Sequence, residues 1–152
     1  MTTSDRPGVI VHGAASGFAQ RVTVGRHELK ADEPVDAGGT DTGPSPYDLL
    51  SAALGTCTSM TIGYFVRQRK WPLESVTVEV RHSKVHATDC ASCDTKEGRI
   101  DRLERTIVLN GQLSEEQRQE LLRIAERCPV HRTLTSKIDI QTSLVAAAGQ
   151  QT

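Results

Sequence analysis

Residues 45–70 read SPYDLLSAALGTCTSMTIGYFVRQRK, and this stretch decides the fold. Ser45 is a suitable helix N-cap, and Pro46 suits the first helical position. Apolar or small residues then occupy almost every position until the charges at the end of the stretch. A helix that is apolar on most of its faces is a buried helix, and Pro72 limits it at the C-terminal end. We therefore expect a long buried helix that carries Cys57.

Segments in which apolar and polar residues alternate flank this helix and indicate strands. The candidate strands cover residues 9–11, 18–24, 27–31, 76–85, 100–109 and 137–142. Ser114 and Gln117 form a capping box that opens a second helix, and the apolar pattern continues this helix to Cys128. The order of strands, buried helix, strands, helix and strand predicts an α+β domain.

The composition bounds the class of protein. The chain has 152 residues, which suits a single domain over residues 1–152 with a disordered tail at 146–152. Only 3% of the residues are aromatic, so the core consists mainly of smaller aliphatic side chains. Such a core gains stability when an oligomer buries more surface. The formal net charge of −1 argues against a nucleic-acid partner.

The hydropathy pattern and the cysteine count indicate the cellular compartment. We expect no stretch to be long and apolar enough to span a bilayer, and the short polar N-terminus does not resemble a signal peptide. The sequence therefore predicts a cytoplasmic protein without a membrane partner. In a reducing cytosol, four cysteines favour metal binding or redox chemistry over structural disulfides.

Two of the cysteines lie in helical, mostly apolar contexts. Cys57 has small neighbours, which allow a substrate or another backbone to approach closely. Cys128 is followed at once by Pro129, which fixes the local geometry. Each residue alone is also compatible with a plain core thiol, and the sequence spacing does not show that the two meet.

The other two cysteines, Cys90 and Cys93, lie in a polar segment preceded by His82 and His86. These four residues have the ligand types of a zinc site. A local disulfide and a pair of exposed reduced thiols are the alternatives, and the sequence leaves all three open. Acidic residues flank the pair and do not favour a low thiol pKa, so it is not our candidate for the primary catalytic pair.

Two motifs resemble a known family. Residues 38–57, GGTDTGPSPYDLLSAALGTC, and residues 128–134, CPVHRTL, resemble the two cysteine motifs of the OsmC/Ohr family of osmotically inducible and organic hydroperoxide resistance proteins. The resemblance covers about residues 18–143. It implies an OsmC-like fold, in which antiparallel sheets wrap around the buried cysteine-bearing helices of an interlocked homodimer, with two active sites at the dimer interface.

The resemblance also implies a chemistry. The family reduces organic hydroperoxides through a peroxidatic cysteine, matched here by Cys57, and a resolving cysteine, matched by Cys128. A Cys57 sulfenic acid then gives a disulfide between the two. An external dithiol, either a small molecule or a protein, restores the thiols, and no cofactor is required. Arg21 best matches the family arginine that stabilises the thiolate, and Arg26 is its rival.

One position departs from the family pattern. Tyr47 stands where the peroxidases carry the glutamate that orients the arginine. Asp48 could supply a carboxylate, but one residue along a helix is a rotation of about 100°. The resemblance therefore implies a weak peroxidase. His131 could act as a base on the resolving thiol or serve in packing.

The expected pocket and the competing functions complete the prediction. Apolar residues near Cys57 would favour alkyl or fatty-acid hydroperoxides, and the candidates are Leu50, Leu54, Met60 and Phe65. The first alternative is a non-enzymatic binding module that uses the apolar dimer pocket. The second is a zinc-stabilised OsmC-like protein.

Overall fold

The computed structural model describes residues 6–148; residues 1–5 and 149–152, and with them most of the predicted tail, lie outside the described part. The elements in chain order are β1 (Val9–Gly13), β2 (Gln20–Val24), β3 (His27–Ala31), α1 (Pro46–Arg69), β4 (Leu73–His86), β5 (Arg99–Gly111), α2 (Glu115–Ala125) and α3 (Pro129–Leu134). Short 3-10 turns cover Val35–Ala37 and Ala87–Asp89. This mixture of helices and antiparallel strands confirms the predicted α+β class.

Helix α1 begins as the sequence predicts. The Ser45 hydroxyl accepts from the Asp48 backbone N–H, and the Asp48 carboxylate accepts from the Ser45 backbone N–H, which completes a capping box. The helix ends at Lys70, which adopts a left-handed conformation with φ 55°. Residues four apart share one helical face, and one such stripe is buried. Its members are Leu54, Thr58, Ile62 and Val66.

The core lies where this stripe meets α2. Ile62 and Leu121 are fully buried, and Val66 and Ala125 pack against them. Partly buried apolar side chains pack around this cluster. They come from α1, from the hairpin of β4 and β5 and from the segments beside them, and include Phe65, Trp71, Val76 and Ile107. Helix α1 is thereby held between the hairpin and the C-terminal helices.

Two antiparallel sheets have different surroundings. In the long hairpin, Val80 lies opposite Arg105, and α1 packs on β4. The three-stranded sheet has the order β1-β2-β3, with Val11 opposite Val22 and Val22 opposite Leu29. This second sheet makes only sparse contacts with the helices of its own chain. Its outer strand β1 is exposed along its whole length.

A carboxylate holds the loop that leads into α1. Asp32 is buried, and its Oδ2 accepts from the hydroxyls of Thr40 (2.6 Å) and Thr42 (2.8 Å) and from both backbone N–H groups. These hydrogen bonds hold the pKa of Asp32 well below its usual range. Gly38 has φ 92°, and a Cβ on Gly39 would collide with the Glu33 carbonyl group. The glycine-rich loop is therefore held by the hydrogen bonds to Asp32 and by its own turns.

Two predicted elements differ in the structure. Helix α2 ends at Ala125, and Cys128 is the N-cap of α3 rather than the end of α2. The residue before a proline avoids the helical region, and Cys128 has φ −58° and ψ 136°. The predicted strand over residues 137–142 is not formed. Its Ile138 and Ile140 are exposed, because no strand of the described chain pairs with the segment.

The expectation that no stretch is long and apolar enough to span a bilayer is wrong. By length and composition α1 could cross a membrane, with a mean hydropathy of 1.4 over its most apolar window. The core helix of a soluble protein meets the same criteria, and α1 packs against β4, α2 and α3. Only 22% of that window is buried within the chain, so much apolar surface of α1 is left uncovered.

Candidate active site

Cys57 lies halfway along α1 and lines a cavity of about 560 Å³. Its side chain is half-buried, and its thiol is free. The walls come from one face of α1 and from the start of α3, and most of their surface is apolar. The lining residues are Ala53, Thr56, Cys57, Met60, Thr61, Tyr64, Pro129 and Val130. Cys57 is therefore a free thiol that a small apolar molecule can reach.

Cys128 lies behind Cys57 and is fully buried. Its Sγ accepts from the His131 backbone N–H at 3.3 Å, and the Thr58 hydroxyl lies 3.9 Å away. Burial alone would raise the pKa of this thiol. Hydrogen bonds from the His131 N–H, the Cys57 thiol and Thr58 outweigh burial and hold the pKa of Cys128 below that of an ordinary cysteine. The buried sulfur thus lies beside the part of α1 that carries Cys57, since it faces Thr58, the next residue along the helix.

One cation connects the elements around the two thiols. Arg105 on β5 donates from Nη1 to Thr58 Oγ1 (2.9 Å) and to the Ala125 carbonyl (3.2 Å). Its Nη2 lies 3.3 Å from His131 Nδ1. The guanidinium is partly buried, and in these contacts it joins α1, α2 and α3 around Cys128.

The sequence analysis missed Arg105, although a signal for it exists. Leu103, Ile107 and Leu109 alternate along β5 and face inward, and Arg105 occupies the same face between them. A charged residue in the inward register of a strand needs a buried partner. Here Thr58, Ala125 and His131 supply the acceptors, which the sequence could not specify.

The comparisons with known proteins agree with this fold. The profile of the family described as OsmC-like protein matches residues 39–143. The chain belongs to the OsmC family. No curated protein is similar to it in sequence. The family resemblance drawn from the two cysteine motifs is thus confirmed.

Solved OsmC-family structures share the fold at low sequence identity. An organic hydroperoxide resistance protein OsmC from Legionella pneumophila is 20% identical, with a TM-score of 0.62 over 87% of this chain and 90% of that one. An organic hydroperoxide resistance protein from Elizabethkingia anophelis is 20% identical, with a TM-score of 0.66 over 91% and 94%. An OsmC-like protein from Mycoplasma pneumoniae is 17% identical, with a TM-score of 0.68 over 95% and 100%.

The apolar lining of the pocket in this OsmC-family protein differs from the predicted set. Of the four candidates, only Met60 lines the Cys57 cavity. Leu54 belongs to the buried stripe of α1, Phe65 packs on the core with Trp71, and Leu50 lies outside the cavity. Leu54 is three positions from Cys57, but it lies on the neighbouring face of α1, which packs on the core with Thr58 rather than on the cavity.

The structure does not bring the predicted activating arginine to Cys57 within one chain. Arg21 is exposed on β2, opposite His12 and Lys30, and lines a separate cavity. Arg26 lies in the tight turn between β2 and β3 and is also exposed. Because β2 has few contacts with α1 in the chain, the role of either arginine stays a prediction.

Tyr47 and Asp48 have other partners in the chain. The Asp48 carboxylate accepts from the backbone N–H and the hydroxyl of Ser45, which lower the pKa of Asp48 and hold it at the helix cap. Tyr47 stacks on His82, with ring centroids 4.2 Å apart and planes 7° apart. His82 Nε2 in turn lies 2.8 Å from Asp101 Oδ1. The carboxylate therefore caps the helix, and the tyrosine packs on the hairpin.

His131 contacts the Cys128 thiol through its backbone. The N–H of His131 donates to Cys128 Sγ, while the ring Nδ1 faces Arg105. The ring contact with Arg105 fits the packing role that the sequence analysis left open.

The second cysteine pair forms a local disulfide, Cys90–Cys93, in the loop between β4 and β5. Of the three alternatives, the structure therefore shows the disulfide. His82 is engaged with Tyr47 and Asp101, so the four predicted zinc ligands are not assembled. Within residues 6–148, no group of three or more His, Cys, Asp or Glu side chains is placed to hold a metal ion.

Proposed function

We propose that this OsmC-family protein is a thiol-dependent peroxidase for organic hydroperoxides, in which Cys57 is the peroxidatic cysteine and Cys128 the resolving one. One observation carries the proposal: the reachable thiol of Cys57 lines an apolar cavity together with Pro129 and Val130, and the buried Cys128 that precedes them faces Thr58, the residue next to Cys57. A reaction that needs two thiols in sequence requires this arrangement of one accessible sulfur and one adjacent sulfur.

The chemistry follows from the two positions. The Cys57 thiolate attacks the hydroperoxide, which gives an alcohol and a Cys57 sulfenic acid. Cys128 then attacks the sulfenic sulfur to form the Cys57–Cys128 disulfide and release water. An external dithiol, small molecule or protein, reduces this disulfide by thiol–disulfide exchange.

The cavity indicates the substrate class. Its walls expose the apolar surfaces of Ala53, Met60, Tyr64 and Val130. Apolar walls contribute binding energy to an alkyl or aryl group, and hydrogen peroxide has no such group. We therefore expect organic hydroperoxides to be preferred. Two of the similar structures are of proteins described as organic hydroperoxide resistance proteins.

We also propose that the active form is a cytoplasmic homodimer. Met60 and Tyr64, at the Cys57 cavity, are 71% and 62% exposed in the single chain. Large apolar patches on a soluble protein are commonly interfaces, and a partner on this face would close the cavity. The partner's sheet of β1, β2 and β3 would then supply Arg21. Light scattering that gives the mass of one chain would contradict this proposal.

The test of the function is a single oxidation of the reduced protein. We expect one equivalent of cumene hydroperoxide to form the Cys57–Cys128 disulfide within seconds, as mapped by peptide mass spectrometry. The protein with Cys90→Ser and Cys93→Ser is the matched control and is expected to react at the same rate. If the protein does not react, or if only Cys90 and Cys93 are affected, it is not this peroxidase.

One observation favours a second candidate, a binding module without turnover. The Asp48 carboxylate is held by Ser45, and Tyr47 offers no carboxylate at the family's glutamate position. A molecule in the Cys57 cavity would then be bound but not reduced. Under this alternative, cumene hydroperoxide or its alcohol would protect Cys57 from alkylation, and no disulfide would form.

A further inference from the structure

The Cys90–Cys93 bridge lies in the loop between β4 and β5, where a reagent in solution can reach it. Both cysteines are partly exposed, and the two residues between them, Ala91 and Ser92, are exposed. No residue of this loop lines the Cys57 cavity. A thiol reagent can therefore approach the bridge without entering the candidate active site.

Contacts that do not involve sulfur hold the backbone around the bridge. Ala87 is fully buried, and its N–H donates to the Gly98 carbonyl (2.9 Å), which closes the base of the loop. The Cys90 N–H donates to the Ala87 carbonyl (3.2 Å), and Lys96 Nζ donates to the Cys90 carbonyl (2.8 Å). None of these bonds needs the bridge, so they keep the two thiols close together when the bridge is reduced.

The bridge itself contributes little to the stability of the fold. Cys90 and Cys93 are three residues apart, so their bridge removes little entropy from the unfolded chain. The loop is already held by its hydrogen bonds. Exposed disulfides are the ones that exchange readily with thiols, whereas buried structural ones resist reduction. The position of this bridge therefore favours exchange over a structural role.

The charges beside the pair indicate which reagents it suits. Asp89 precedes Cys90 and Asp94 follows Cys93, and both carboxylates are exposed. Two negative charges oppose the thiolate that would be needed for rapid attack on a hydroperoxide. In reduction by an external dithiol, the attacking thiolate belongs to the reagent, and the bridge supplies only the sulfur that is attacked. The surroundings therefore suit dithiol exchange better than peroxide chemistry.

We propose that Cys90–Cys93 is a second redox site, which exchanges electrons with external dithiols independently of Cys57 and Cys128. Its substrates are small or protein-borne dithiols in one direction and disulfides in the other. This activity goes beyond the proposed peroxidase function, because it neither requires nor assists the reduction of a hydroperoxide.

The exchange takes place in two balanced steps. A thiolate of the external dithiol attacks one sulfur of the bridge, the S–S bond breaks, and a mixed disulfide forms while the other cysteine leaves as a thiolate and takes up a proton. The second thiol of the reagent loses its proton and attacks the mixed disulfide, which releases the reagent as a disulfide and leaves Cys90 and Cys93 as thiols. The dithiol loses two electrons and two protons, and the bridge gains them.

The first experiment follows the exchange in the folded protein. The Cys57→Ser protein, which cannot form the Cys57–Cys128 disulfide, is treated at neutral pH with dithiothreitol and, after its removal, with oxidised glutathione. Alkylation and peptide mass spectrometry report the state of Cys90 and Cys93. We expect full reduction within minutes, followed by re-formation of the bridge without a lasting glutathione adduct. Reduction that requires denaturant, or a persistent adduct on either cysteine, overturns the proposal.

A pair of lysine variants tests whether the loop contacts hold the thiols together. Lys96→Gln removes the bond to the Cys90 carbonyl, and we expect it to slow re-formation of the bridge about threefold. Lys137→Gln removes an exposed charge outside the loop and is expected to leave the rate unchanged. Equal rates in the two variants would refute the role given to the loop contacts.

The second experiment separates this site from the peroxidase. In the Cys57→Ser protein, the reduced pair is expected to react with cumene hydroperoxide no faster than free dithiothreitol does, and a much faster reaction overturns the division between the two sites. A parent protein that exchanges with dithiols at Cys90 and Cys93 but reduces no hydroperoxide would refute the peroxidase function and support this site. A bridge that resists dithiols in a protein that reduces hydroperoxides would do the reverse.

Discussion

The two cysteine pairs of this chain have opposite surroundings. Cys57 and Cys128 are free thiols between helices, with one in an apolar cavity and the other fully buried. Cys90 and Cys93 are joined in a disulfide in a polar surface loop. By spacing alone, the second pair looks more like a redox motif, because it is a CxxC.

The surroundings of the two pairs favour Cys57 and Cys128 instead. The sulfur of Cys128 accepts a hydrogen bond from the His131 backbone N–H, and such a donor stabilises a thiolate. The CxxC pair lies between Asp89 and Asp94, whose negative charges oppose a thiolate. The hydrogen-bond donors around a sulfur, rather than the spacing of the cysteines, therefore indicate which pair is suited to react.

The largest effect is expected from Cys57→Ser. A serine hydroxyl is a far weaker nucleophile at neutral pH than a thiolate, so turnover of cumene hydroperoxide should fall to the uncatalysed background. The measurement is steady-state consumption of hydroperoxide with excess dithiol. Substantial turnover in Cys57→Ser would mean that Cys90 and Cys93 carry the chemistry. It would refute the assignment of the reaction to the helical pair.

The next effect is expected from Cys128→Ser. Cys57 should still be oxidised once per chain, but the sulfenic acid should persist because the buried partner thiol is missing. A sulfenic-acid-specific reagent followed by mass spectrometry should label Cys57. Formation of a disulfide between Cys57 and Cys90 or Cys93 would show instead that the two pairs communicate.

Much of the fold and the position of Cys57 could be predicted from sequence. Ser45, Pro46 and Asp48 define the start of α1 through local capping, which depends only on near neighbours. The alternation along β4 and β5 likewise predicts their strands. These are features of short range, and in them the structure agrees with the prediction.

The rest depends on contacts between distant segments. Arg105 meets Thr58 and His131 across separations of 47 and 26 residues, and no local pattern specifies such a meeting. The segment at 137–142 has the alternation of a strand but pairs with no strand in the part of the chain that the structure describes. The apolar pattern runs past Ala125 and predicts that α2 continues to Cys128, although Pro129 excludes a continuous helix.

The loop that precedes the helix of Cys57 offers a third test. Asp32 holds the loop before α1 through its carboxylate, so Asp32→Asn should lower the melting temperature by several degrees. In the amide an NH2 group replaces one of the two oxygens, so the side chain cannot accept both from the four donors at Oδ2 and from the Glu33 N–H at Oδ1, and the negative charge is lost. Because the loop leads into the helix of Cys57, turnover should also fall.

The pH dependence of the stability tests whether the charge of Asp32 is the source of this effect. The pKa of Asp32 is lower in the folded chain than in the unfolded one, so its stabilisation is fully present above about pH 4 and is lost as the pH falls further. The difference in stability between the parent protein and Asp32→Asn should therefore be constant from pH 7 to pH 5 and shrink below about pH 4. A difference that does not change with pH would exclude the charge as its source.

The smallest effect is expected from removal of the CxxC disulfide by Cys90→Ser with Cys93→Ser. The bridge closes a loop of only four residues, so its removal should cost at most about 2 kcal/mol in the free energy of unfolding. Other hydrogen bonds still hold the loop, since Lys96 donates to the Cys90 carbonyl and Arg102 to the Asp89 carbonyl.

Turnover of this variant should stay within about twofold of the parent, because the loop contributes no residue to the lining of the Cys57 cavity. Denaturant unfolding and steady-state kinetics on the same samples measure both quantities. A loss of activity larger than the loss of stability would show that this pair, although poorly suited to form a thiolate, takes part in returning electrons to Cys57 and Cys128.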